Sequence, residues 1–145
     1  MLIQESINSQ IEIKAKPELI WDALINPEIV KNYLYGTKLI SNWKLGSEIS
    51  FTGEWEGTKY LDRGTIQELI PNQCLSYTYL SSFSGLPDEK ENYSLITFQI
   101  VPKLDFFILS LTQKGFTSQQ AKEHSQSSWD SILKQIKEIV EGNSF

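Results

Sequence analysis

Along the chain, hydrophobic positions switch between a period of two and a period of about 3.6, and the switches mark out the elements. From Gln10 to Lys14 the pattern alternates, with Ile11 and Ile13 on one face, which predicts a strand. Leu19, Ile20, Ala23 and Leu24 then fall at helical spacing beside Trp21, behind Pro17 at a first helical position and acidic Glu18. Asn26-Pro27-Glu28 restarts the chain as an N-cap, a first-turn proline and an acid. A short second helix through Tyr33 follows, ended by Gly36.

From there to Lys114 the period is that of strands. Ile49, Phe51, Gly53 and Trp55 alternate, and Gly57 makes a hairpin. Thr65 to Ile70 predicts another strand, closed by the turn Pro71-Asn72. Leu75, Tyr77 and Tyr79 alternate next, then Ser94, Ile96, Phe98 and Ile100, then Phe107, Leu109 and Leu111. Ser81 to Glu91, with Gly85 and Pro87, is predicted to be a loop. Thr117 and Gln120 have the spacing of a capping box, preceded by Phe116. Trp129, Ile132, Leu133, Ile136, Ile139 and Val140 step by three and four, one apolar stripe on a helix of roughly 25 residues that Gly142 ends. Residues 1 to 8 and 142 to 145 are expected to be the least ordered. The order predicts an α+β fold: a curved antiparallel sheet of six to seven strands wrapped around one long C-terminal helix, with two short helices after the first strand.

Composition narrows the function. The 145 residues fit one domain. The net charge is −5, and Arg63 is the single arginine among 13 basic residues. That composition argues against a nucleic-acid partner and against a basic membrane-surface helix. One cysteine and one histidine exclude an internal disulfide and a multi-His metal site. No apolar run approaches the roughly 18 residues of a membrane span. Met1 to Glu5 lack the start of a signal peptide, so a cytoplasmic setting is expected. Neither glycine-rich phosphate loop occurs, and there is no H-E-x-x-H, EF-hand spacing or G-x-S-x-G. No cofactor or metal is expected. Aromatic residues reach 12%, and Phe51, Trp55, Tyr77, Tyr79, Phe98 and Phe107 lie on the predicted strands.

Several segments together resemble a known family. Ile13-Lys14-Ala15-Lys16-Pro17-Glu18, followed by Ile20-Trp21, Leu24 and Asn26-Pro27-Glu28, resembles its strand-to-helix opening. Gly64-Thr65-Ile66-Gln67-Glu68-Leu69-Ile70-Pro71, with Leu75 and Tyr77, resembles "G-x-I-x-E-I-x-P-x-x-x-L-x-Y-T". Leu109-Ser110-Leu111-Thr112-Gln113-Lys114-Gly115-Phe116 is similar to "L-x-L-x-H-x-G-F", and Trp129 with Leu133 to "G-W-x-x-x-L-x-x-L". The family is the activator-of-heat-shock-protein-90-ATPase-homologue branch of the START-like (SRPBCC) superfamily, and the resemblance spans about residues 9 to 141. It implies the helix-grip fold. Gln113 stands where relatives often have histidine, and Tyr35 where they have tryptophan in "W-W-G".

A helix-grip fold leaves space between the concave sheet and the helix, and such pockets are mostly apolar with a few placed polar groups. Phe51, Trp55, Tyr77, Tyr79, Phe98 and Phe107 are the candidate lining on the strands, with Trp129 and Leu133 on the helix and Tyr35 at the mouth. The plain alternative is that these residues fill a dense core. Arg63 either offers its fork to a carboxylate or phosphate head group, or forms an exposed ion pair with Asp62 or a neighbouring acid. Glu54 and Glu56 flank Trp55 and are predicted to face away from it, as a solvated strand face rather than an acid/base pair. His124 lies at the edge of the helix stripe, and Cys74 is a structural thiol. No catalytic residue is assigned. The expected function is non-catalytic binding of a small hydrophobic or aromatic ligand in that cavity. The alternatives are a co-chaperone-like regulator with a chaperone partner, which the resemblance implies, and a cavity enzyme acting on an aromatic or polyketide-like substrate.

Overall fold

The computed structural model describes residues 2–142. Met1, Asn143, Ser144 and Phe145, expected to be poorly ordered, lie outside the described residues. Strand β1 (Ile3–Ile13) leads into helix α1 (Pro17–Ile25) and helix α2 (Pro27–Tyr33). Strands β2 (Lys38–Ser41), β3 (Glu48–Trp55), β4 (Thr58–Ile70), β5 (Cys74–Tyr79), β6 (Ser94–Pro102) and β7 (Phe107–Phe116) follow, and helix α3 (Gln119–Gly142) closes the chain. The seven strands form one antiparallel sheet in the order β1-β7-β6-β5-β4-β3-β2. This is the helix-grip architecture.

Local chemistry explains the boundaries. Asn26 caps α2 by accepting the Glu28 N–H at 3.0 Å, with Pro27 at the first helical position. The α3 cap is Ser118, whose hydroxyl accepts the Ala121 N–H at 3.1 Å, one residue beyond the predicted Thr117. Glu56 and Gly57 both have positive φ, 49° and 81°, the two-residue turn that matches the twist of a hairpin.

Three further differences from the sequence reading have clear causes. Residues 3–8, expected to be loose, are paired strand: Ile3 faces Phe116, Ile7 faces Gln113, and Glu5 binds Lys122 and Gln119 of α3. β4 begins at Thr58, well before Thr65, because its first half turns Tyr60 and Asp62 inward and so lacks an apolar alternation. β2 is a short edge strand with one buried apolar residue, Leu39, and little signal.

α3 is held in two ways. Its second half buries Ile132, Leu133, Ile136 and Val140 in a core shared with Ile13, Ile100, Leu109 and Leu111. Each such side chain contributes roughly 1.5–3 kcal/mol on burial. The whole helix is also bonded along the free edge of β1. Gln126 donates to the Asn8 carbonyl at 3.1 Å, Lys137 to the Glu12 carbonyl at 2.6 Å, and Glu141 accepts the Lys14 N–H at 2.9 Å. Those bonds also cover an edge that would otherwise pair with other chains.

At the centre of the sheet, Gly64 lets β4 approach β5. A Cβ there would lie 1.6 Å from the Thr78 carbonyl oxygen. Gly64→Ala is therefore expected to cost about 3 kcal/mol, the upper end for overpacking. Leu104→Ala, at a fully exposed position, should change stability by less than about 0.5 kcal/mol. Urea unfolding of the two variants checks this, and equal midpoints would refute it.

Candidate functional site

A cavity of about 510 Å³ lies between the sheet and the first turns of α3. Its floor is aromatic: Phe51 on β3 packs against the rings of Tyr77 and Tyr79 on β5, with centroids 5.6 and 5.5 Å apart. The helix side is polar at its start, with His124, Ser125 and Ser128, and aromatic further on, with Trp129. The mouth is framed by Tyr35, Trp55 and Phe83, all exposed. Tyr35 sits there because the chain leaves α2 through a left-handed pair, Tyr35 at φ 54° and Gly36 at φ 84°.

On the sheet side, Tyr60, Asp62, Tyr79 and Gln113 have fixed partners, whereas one floor group does not. Tyr60 lies across Gly53, the residue opposite it on β3, where a Cβ would come within 2.4 Å of the Tyr60 hydroxyl. That hydroxyl meets the Thr37 hydroxyl at 2.6 Å. Asp62, 7% exposed, accepts hydrogen bonds from the Tyr79 hydroxyl, the Ser82 N–H at 2.8 Å and the Ser82 hydroxyl at 3.1 Å. Trp129 donates its indole N–H to Gln113 at 2.8 Å and meets Phe98 edge-on. Gln113 thus anchors the helix aromatic to β7. The exception is Tyr77. Its side chain is 5% exposed, its hydroxyl makes no hydrogen bond to the described residues, and no fully buried side-chain oxygen among them lacks a partner. The Tyr77 hydroxyl therefore opens on the cavity it lines.

The structure brings Tyr35, Phe51, Trp55, Tyr77, Tyr79 and Trp129 together around this cavity. Phe98 lines a recess of about 20 Å³ behind Trp129, room for about one water. Leu133 is core, 1% exposed. Phe107 lies in a separate surface groove beside Lys14, Leu19 and Asp105. Arg63 also lies outside the cavity. Strand alternation turns it to the outer face, where it pairs with Asp88 at 3.5 Å. Glu54 reaches the cavity rim together with Trp55, where alternation predicts opposite faces. Cys74 donates its thiol to Glu68 at 3.1 Å; burial first, and Glu68 second, push it up to about 12, so it is a poor nucleophile. Tyr60, Thr37 and Phe83 were not singled out from the sequence, and Asp62 was named only as an ion-pair partner for Arg63. Tyr60, Asp62, Gly64 and Ile66 share one face of β4, and extending the period of two backward from Ile66 finds the first two.

Among the described residues, no cluster of three His, Cys, Asp or Glu side chains is placed to hold a metal ion. None of the described helices is long and apolar enough to cross a membrane.

Residues 14–141 match the family described as Activator of Hsp90 ATPase homolog 1-like protein. The chain belongs to that family. Solved structures similar to this family member include ChR145 from Cytophaga hutchinsonii, 35% identical, with a TM-score of 0.84 over 99% of this chain and 98% of that one. The Aha1 dimer from Colwellia psychrerythraea is 21% identical, with a TM-score of 0.74 over 94% and 96% of the two chains. PFC0360w, an HSP90 activator from Plasmodium falciparum, is 18% identical, with a TM-score of 0.72 over the same shares. These last two likenesses are of fold. No curated protein sequence matches the chain.

The tyrosines set a pH dependence. Burial holds the Tyr33, Tyr77 and Tyr79 hydroxyls well above the usual phenol range, and Asp62 adds to the effect at Tyr79. A raised folded-state value means the unfolded chain loses these protons first. The stability they lend is complete below about pH 10 and falls above it, by up to about 1.4 kcal/mol per pH unit for each tyrosine. Denaturant unfolding at pH 8, 10 and 11 should show a steep loss only between the last two. A flat profile to pH 11 would contradict this burial.

Proposed function

We propose that this chain binds a small apolar or aromatic molecule, without catalysing its conversion, in the cavity between the sheet and the start of α3. One observation carries the reading: the hydroxyl of buried Tyr77, without a partner among the described residues, opens on the floor of an aromatic cavity. A ligand that displaces water from this hydroxyl must bond it in turn, since a polar group left unpaired on burial costs about 1–3 kcal/mol. The cavity volume, about 510 Å³, falls within the usual span of small-molecule sites, about 300–1,000 Å³. Burying about 300 Å² of apolar ligand surface there contributes about 7 kcal/mol, before the cost of association.

Native mass spectrometry of gently purified protein tests the reading, with a retained adduct of a few hundred daltons expected. Tyr77→Phe should weaken that adduct while leaving stability within about 0.5 kcal/mol, since no internal bond is lost. Ser128→Trp, which fills the cavity from the helix side, should abolish the adduct. An adduct that both variants retain would place the ligand elsewhere.

The family's description supports a second reading, a co-chaperone-like regulator that binds a protein partner. The exposed Tyr35, Trp55 and Phe83 give such a partner an apolar contact surface. The test is binding to the Hsp90-type chaperone of the same cell, with its ATPase rate as readout. No binding at micromolar concentration removes this reading.

A further inference from the structure

We infer that the cavity selects a ligand whose polar end is a hydrogen-bond donor, best a protonated amine, and turns away carboxylates and phosphates. The inference rests on the ligand-binding reading above and names the chemistry of the ligand's head.

The charged side chains of the lining are Asp62 and Glu54, and no lysine or arginine is among them. Arg63, the candidate for an anionic head group, faces Asp88 on the outer side of the sheet. Asp62 is nine-tenths buried and has no cationic partner among the described residues. A carboxylate offers about four lone-pair sites. Ser82 uses two on one oxygen, and Tyr79 uses one on the other. One site stays open on a carboxylate that lines the cavity.

A donor placed there completes the set, and a charged donor makes the stronger bond. An anion placed there meets a like charge where little water screens it, with Glu54 adding a second negative charge at the rim. The lining is also rich in aromatic rings, Trp55, Tyr60 and Phe83 among them, and aromatic faces attract cations. His124, exposed on the helix side of the rim, is the one lining side chain able to carry positive charge. It stands on α3, whereas Asp62 stands on β4. Tyr77, free to donate or accept, serves a second polar atom of the ligand.

Calorimetric titration with 2-naphthylmethylamine, 2-naphthalenemethanol and 2-naphthoate at pH 7 tests the inference. These probes share one aromatic body and differ in the charge of the head. The amine is expected to bind at least roughly tenfold tighter than the naphthoate, with the alcohol between them. In Asp62→Asn the ratio should collapse. Ser81→Lys, which adds a cation to the lining while leaving the Asp62 hydrogen bonds in place, should narrow it as well, and serves if Asp62→Asn does not fold. Equal binding of all three, or tighter binding of the naphthoate, overturns the inference and leaves the cavity reading standing. A preference for the amine that survives Asp62→Asn overturns the assignment to Asp62. No binding of any probe up to millimolar concentration overturns the cavity reading and this inference together.

Discussion

The reach of the apolar stripe on α3 decides the shape of everything around it. Between Gln119 and Ser128 the helix has one apolar residue, Ala121, whereas Trp129 to Val140 carries the whole stripe. The second half therefore seals one end of the sheet, and the first half has nothing with which to seal the other. Polar bonds to Glu5, Asn8 and Glu12 tie the helix to the β1 edge along its length. A straight helix of 24 residues is a rod of about 36 Å. Held at both ends on one edge, it cannot tilt across to β3, β4 and β5. The gap that remains is the cavity.

The interior of that gap holds more polar atoms than a core would tolerate unless each were tied. Most are tied to one another: Tyr60 to Thr37, Tyr79 and Ser82 to Asp62, Trp129 to Gln113. Such bonds fix the walls in advance of any ligand, so little ordering is left to oppose binding. They also fix the roles of the groups. Burial keeps the proton on Tyr79, so it donates and Asp62 accepts. The Tyr77 hydroxyl alone among the floor groups is left for something else.

The fold was legible in the sequence because each element carried its own period or punctuation. The first helix and the α3 stripe were read from their spacing, and the second helix and the hairpin at Gly57 from their punctuation. The site was legible only where it is aromatic. Phe51, Tyr77, Tyr79 and Trp129 stand at core-facing positions, so apolar periodicity finds them. Asp62 and Tyr60 face the same way, but polar residues on a strand read as solvent-facing by default, and the first half of β4 was lost with them. Phe107 and Leu133 show the converse. Their periodicity is correct, but a periodic face says which side is inward, not whether a helix side chain already fills the space there.

The sign of the cavity's charge hangs on the parity of β4. Asp62 and Arg63 are neighbours, so one must face in and the other out. A slip of one residue would put the arginine inside and turn the lining from acidic to basic. The neighbouring glycine prevents that slip. Gly64 sits where the Thr78 carbonyl leaves no space for a Cβ, so neither Arg63 nor Thr65 can take its place without parting β4 from β5. The Arg63–Leu80 bridge on one side and the Ile66–Tyr77 pair on the other hold that register. Family membership spans residues 14–141 and accounts for the fold. The chemistry of the head group that the cavity accepts is set more locally, by a glycine that allows only one of two adjacent charges to face inward.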